Sequence, residues 1–126
     1  MLRAGVSSWN LWRAANRAVK PSLSGAGLAG ADLADAHLEQ ANLTRANLAE
    51  ANLELANLRG ASLAQANLAE ANLEKANLEG ANLANAHLEL AHLKGVGLTR
   101  AWFADAHLEA ADLRGANRAE ADREGA

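Results

Sequence analysis

The chain reads as an all-β solenoid, a quadrilateral β-helix of about five coils with a short α-helix capping its start. Three observations predict this. A leucine returns at every fifth residue from Leu23 to Leu98, and Phe103, Leu108 and Leu113 hold the same phase afterwards. An alanine stands two places before nearly every one of them. No insertion shifts the register between Pro21 and Gly125.

A period of five fits neither ordinary element. Five residues turn an α-helix by roughly 500°, so successive leucines would wind over every face and form no stripe. Along a straight strand an odd spacing sends alternate leucines to opposite faces. The conflict disappears if the backbone bends by a right angle at every unit. Each pentapeptide then forms one side of a square and every leucine points at the axis. Four sides make a coil, and stacked coils pair at the strand spacing of ~4.8 Å. Residues 21–125 supply 21 units, a column roughly 25 Å long at that spacing. Such an array draws its stability from the units and from contacts between neighbours.

Each slot of the unit has its own chemistry. The central position, c, is Leu in 18 of the 21 units, which predicts a stacked leucine interior. Position c−2 is Ala in 19 units and points inward near a corner, where only a methyl fits. Position c−1 is Asn in nine units and Asp in three; a short side chain that hydrogen-bonds backbone suits a corner, and stacked amides can form ladders. The last two slots vary freely and face solvent.

The run Ala41-Asn42-Leu43, Ala46-Asn47-Leu48, Ala51-Asn52-Leu53 and onward resembles the pentapeptide repeat family. The resemblance covers residues 21–125 and implies that the β-helix is right-handed. The segment Gly5-Val6, Trp9-Asn10-Leu11-Trp12-Arg13 and Pro21-Ser22-Leu23-Ser24-Gly25-Ala26 is similar to the leader of many bacterial members.

The domain boundary is expected at residue 20, with a capping helix over 1–20 and the repeat β-helix over 21–126. Ser7 or Ser8 can cap the helix start. Trp9, Trp12, Ala15 and Val19 fall at helical spacing, with Leu2 and Val6 extending the stripe backwards, and Pro21 stops the helix. A solenoid exposes a sheet edge at each end, and an uncovered edge invites aggregation. At the far end Arg118 and Arg123 stand where leucine should be, and an unpaired charge in that core costs several kcal/mol, on the order of the penalty for any buried ion. The last units are therefore expected to fray, to turn outward or to end the coil. A homodimer through that end, or a longer parent chain, remains open at this point.

Composition excludes several functions. There is no cysteine, hence no disulfide framework, thiol nucleophile or Cys-based zinc site; a reducing, cytoplasmic setting fits. No apolar run approaches the ~20 residues of a membrane span, and polar residues interrupt the N-terminus too often for a secretory signal. Residues 1–20 carry four basic side chains and no acid, while the remainder carries 8 basic and 15 acidic ones. A mildly acidic body argues against nucleic acid as a direct ligand. The basic, Trp-containing start keeps attachment to a membrane surface as a minor alternative.

No catalytic, cofactor or metal site is expected. There is no nucleophile–base set, phosphate-binding loop or dinucleotide fingerprint. All four histidines, His37, His87, His92 and His107, occupy c−1, where an imidazole can replace an amide. His87 and His107 stack one coil apart and could share a metal, but the sequence offers no third ligand of obvious geometry.

The candidate partner-binding residues are Glu50, Glu70, Glu89 and Glu109, an acidic stripe with no Lys or Arg on its side, together with Trp102. Leu55 and Leu90 also point outward by register. The reading is a non-catalytic protein–protein interaction or scaffold module. The alternative, implied by the family resemblance, is a DNA-mimic protein that binds DNA gyrase, although this column is short and its acids are interspersed with basic residues.

Overall fold

The computed structural model describes residues 2–122. Arg123 lies outside them. From residue 21 onward the chain winds in coils of four pentapeptides. Parallel bridges join each c−1 residue to the one twenty positions later, from Ser22 with Asn42 to Trp102 with Asp122. Every bridge is one residue long, so the described residues contain no extended strand. The expected all-β backbone pairing is present, but as single-residue bridges, because the chain turns again before a second pair can form.

All five N–H groups of an interior unit are accounted for, as buried backbone requires. In the unit 41–45, Leu43 N–H donates to Ser62 of the next coil at 2.7 Å and Asn42 N–H to Pro21 of the previous coil at 2.7 Å. Arg45 N–H donates to Ala64 at 3.0 Å, and Ala41 N–H closes a turn on Leu38 at 3.1 Å. The remaining donor, Thr44 N–H, has no backbone partner; Asn42 Oδ1 accepts it at 3.1 Å. This is why the slot selects Asn. The same bond from c+1 to c−1 recurs at all nine c−1 asparagines and at Asp32 and Asp112. The amide ladder is partial: Asn72 Nδ2 donates to Asn52 Oδ1 at 3.4 Å, and Asn52 Nδ2 to Asp32 Oδ1 at 3.3 Å.

The corner itself lies two to three positions later than expected. Position c−1 sits mid-side, and the bend is made by c+1 and c+2. Every c+2 residue from Gly25 to Glu120 has a positive φ, as position i+2 of a type II turn demands. Only six of these twenty are glycine. The other fourteen hold the left-handed region with a Cβ, at a cost of roughly 1–2 kcal/mol each.

Leu33 and the central leucines from Leu38 to Leu98 are buried in one core with the c−2 alanines from Ala36 to Ala91 and with Val96; Leu38 to Leu93 have no exposed surface. Leu23, Leu28, Leu108 and Leu113 are half-buried at the two ends. Arg118 is exposed. The backbone does not fray there: Leu98 N–H still donates to Asn117 at 2.7 Å, Arg100 N–H to Ala119 at 2.9 Å, and Glu120 keeps a φ of 56°. Removing one leucine changes the interior and leaves the ladder, because the bonds belong to the backbone.

At the start, a single 3-10 turn, Leu2–Ala4, leads into helix α1, Val6–Ala15. Gly5 occupies the N-cap with a φ of 104° and no side-chain cap bond, so Ser7 and Ser8 lie inside the helix rather than capping it. Ala15 and Val19 are exposed, whereas Trp9 and Arg13 are buried. Leu2, Val6, Trp9 and Trp12 of the expected stripe pack on the core, and Arg13 joins the buried face where Ala15 and Val19 do not. Trp9 Nε1 donates to His37 O at 2.7 Å, and Arg13 donates to Glu39 O at 3.0 Å and Val19 O at 2.6 Å. Asn10 Nδ2 donates to Asp35 O at 3.0 Å, and its Oδ1 accepts His37 N–H at 2.8 Å. His37 N–H, His37 O and Glu39 O are coil-edge groups left without a preceding coil, and the helix side chains supply the partners.

Candidate interaction surface

The four sides differ in their outward slots. The side centred on Leu28, Leu48, Leu68, Leu88 and Leu108 carries the acids singled out in the sequence, but not as one stripe. Glu50 and Glu70 occupy c+2 corners, with φ of 58° and 59°, and are exposed. Glu89 and Glu109 occupy c+1, one column inward, where the two preceding coils have Ala49 and Ala69. The next corners are Leu90 and Ala110. The acids therefore form two separate pairs.

The second pair is not alone. The His87 and His107 rings stack with centroids 4.8 Å apart and planes within 3°. His87 Nδ1 lies 3.2 Å from Glu89 Oε1, and His107 Nδ1 lies 3.9 Å from the same oxygen and 3.6 Å from Glu109 Oε1. Partial burial opposes ionisation of Glu89. Bonds from its own backbone N–H and from His87, with the charge of both imidazoles, outweigh burial and hold its carboxyl below the usual value. Among the described residues none of the four histidines makes the c+1 bond of an asparagine. The amide-substitute expectation therefore fails where it matters most, since the His87 Nδ1 is committed to a carboxylate.

Trp102 takes the c−1 slot on the side centred on Leu23, Leu43, Leu63, Leu83 and Phe103. Its N–H donates to Ala81 O at 2.9 Å and its carbonyl accepts Leu83 N–H at 2.7 Å, so the backbone is fixed while 49% of the residue is exposed. Around it by register lie Asn82, Ala84 and Ala104, which are short and uncharged, and on the following coil Asp122, which bridges to it. Leu55 and Leu90 are also about half exposed, at 51% and 53%, on corners.

Elsewhere among the described residues three arginines pair with two acids. Glu79 meets Arg100 at 2.7 Å and Arg59 at 3.8 Å, and Arg114 forks onto Asp112 at 2.7 and 2.9 Å. The Arg114 hydrogen bond drives the Asp112 carboxyl down to about 2. A hollow of about 440 Å³ between α1 and the first coil is lined by Arg13, Arg17, His37, Glu39 and Gln40, among others. Another of about 590 Å³ lies over the Gly60 and Gly80 corners beside Arg59, Glu79 and Arg100. Neither is lined by a Ser, Thr or Cys. Among the described residues no helix is long and apolar enough to cross a membrane.

Sequence reasoning placed the leucine core, the outward Trp102 and the stacking of His87 on His107. It missed the meeting of those rings with Glu89 and Glu109. The signal was present as His at c−1 followed by Glu at c+1 in two successive coils, but counting only Lys and Arg as partners hid it. It also missed Asn10 and Arg13 as edge-binding residues.

No curated protein matches the chain. Among solved structures it is similar to the pentapeptide repeat protein Rfr23 of the cyanobacterium Cyanothece 51142. The two share 37% identity with a TM-score of 0.71, over 72% of this chain and 63% of that one. It is also similar to HetL of Nostoc sp. strain PCC 7120, a pentapeptide repeat protein involved in heterocyst differentiation regulation, at 30% identity and a TM-score of 0.33 over 82% and 60% of the two chains. A pentapeptide repeat protein of the Arabidopsis thaliana thylakoid lumen matches at 30% identity and a TM-score of 0.35, over 81% and 64%. The chain spans less than two thirds of each of these, at 63%, 60% and 64%. A Pentapeptide repeats profile matches residues 22–60, 56–95 and 91–122 in eight copies, the same units whose leucines fill the column, and the chain belongs to the pentapeptide repeat family.

Proposed function

We propose that this chain is a non-catalytic protein-interaction module, a right-handed column that binds a protein partner through Trp102 and the flat side around it. The observation that carries this reading is the exposure of Trp102 on a backbone bonded to the coil before it. An aromatic anchor held rigidly costs little conformational entropy on binding, and tryptophan is enriched where interface energy concentrates. The short side chains of Asn82, Ala84 and Ala104 beside it leave room for a partner to reach the ring.

Affinity capture from native lysate with the immobilised full chain tests it. A specific protein should bind the wild type and be lost with Trp102→Asn, which places in the slot the residue that most units carry there. It should remain with Glu50→Lys and Glu70→Lys. Capture that is indifferent to Trp102→Asn overturns the reading. The DNA-mimic alternative draws less support from the charge distribution: Glu79, Glu89 and Asp112 face cationic or imidazole partners, so the continuous negative surface that mimicry needs is broken.

A further inference from the structure

We propose that His107, Glu89 and Glu109, with His87, form a binding site for one divalent transition-metal ion of the Zn²⁺ class. This site lies on a different side of the column from Trp102 and does not depend on the interaction-module reading. One ligand atom from each of Glu89, His107 and Glu109 lies within 4.8 Å of the other two, the one such group of His, Asp and Glu among the described residues. A four-coordinate ion with bonds of about 2.0–2.2 Å holds neighbouring ligand atoms roughly 3.3–3.6 Å apart. The Nδ1 to Oε1 separations here, 3.2, 3.6 and 3.9 Å, already bracket that range.

The positions of these side chains are set by the ladder. His107 N–H donates to Ala86 O and its carbonyl accepts Leu88 N–H, at 2.9 and 2.8 Å, and His87 is held the same way by Ala66 and Leu68. A site on such a frame needs only side-chain rotation to close. Because the rings are parallel, both lone pairs cannot point at one ion as they stand. His87 is half exposed and swings about its broad outer torsion to become the fourth ligand. Two imidazole nitrogens and two carboxylates suit Zn²⁺ or Cu²⁺, whereas Mg²⁺ and Ca²⁺ prefer oxygen ligands alone.

The sequence-based expectation of no metal rested on the absence of a third ligand, and the column supplies one from each of two turns. The slot chemistry also provides a clean variant. His107→Asn puts into c−1 the residue that holds it in nine other units, so the fold is kept.

Calorimetric titration of Zn²⁺ into tag-free protein is the test, with circular dichroism confirming that each variant is folded. We expect one ion per chain with micromolar affinity, no binding of Mg²⁺, at least tenfold weaker Zn²⁺ binding in His107→Asn and in Glu89→Gln, and no change in His92→Asn. Absence of saturable Zn²⁺ binding below about a hundred micromolar overturns the proposal. So does binding that survives both site variants, or that His92→Asn weakens equally, either of which marks adventitious association.

Discussion

Asn10 stands to His37 as a carbonyl of a preceding coil stands to every later c−1 residue. Its Oδ1 accepts the His37 N–H at 2.8 Å, where Pro21 O accepts the Asn42 N–H at 2.7 Å one coil on. The side-chain amide of α1 thus substitutes for a peptide group and satisfies the His37 donor, which has no preceding coil to bond. Replacing it by leucine should cost about 0.5–1.5 kcal/mol, the net worth of a hydrogen bond whose donor water can reach. Urea unfolding reads the total. Hydrogen exchange reads the cause: the His37 amide should lose protection while the Asn77 amide keeps it. Unchanged exchange at His37 would refute the surrogate role.

The corners provide a second prediction. Leu90 holds a φ of 60° with its side chain 53% exposed, so its strain is not repaid by packing. Leu90→Gly should stabilise the column by up to about 1 kcal/mol, the left-handed penalty less the entropy of the added glycine. Leu90→Val should destabilise it by about 1–2 kcal/mol, because a β-branched residue fits that region worst. Thermal midpoints ordered Gly above Leu above Val confirm the account, and the reverse order defeats it.

The column was legible in the sequence because its cause is local and repeated. Leu43, Leu48 and Leu53 all need the axis, and only a bend at every unit takes them there. The corner belongs at c+1 and c+2 rather than c−1, and the sequence hides this because its usual marker is glycine, and Glu50, Glu70 and Leu90 hold positive φ without it. At the cap, Ser7 and Ser8 have the better N-cap propensity. The helix nevertheless begins at Val6, because Trp9, Asn10 and Arg13 must reach backbone groups 25 to 28 residues away. The His–Glu cluster was hidden for another reason. Its members are two residues apart within a unit and twenty apart between coils, and histidine does not count in a tally of formal charge.

Asp112 should titrate with a midpoint of about 2 against an ordinary value of 3.8, because Arg114 bonds its ionised form. The sign follows from linkage. A depressed folded value contributes stability above the unfolded value and loses it as the pH falls through the folded one. That window runs from about 3.8 down to about 2. Carbon-detected NMR of the carboxyl should show the low midpoint, and Arg114→Ala should return it toward 3.8. A midpoint near the ordinary value in the wild type would show that the fork is not held in solution.

Arg118 occupies the central slot directly after Leu98 in its column, yet the coil continues past it with its ladder bonds intact. The backbone therefore already presents a leucine-shaped position against a Leu98 that is 1% exposed. Arg118→Leu should stabilise the protein by about 1–2 kcal/mol, less than the 1.5–3 of full burial because the site lies at the last described coil. It should also enlarge the apolar area at that end, so the variant is expected to self-associate more strongly than the wild type. Sedimentation velocity at tens of micromolar, beside urea unfolding at a concentration where both proteins are monomeric, separates the two effects. A variant less stable than the wild type would mean that the arginine, not the missing leucine, is what the end of the column requires.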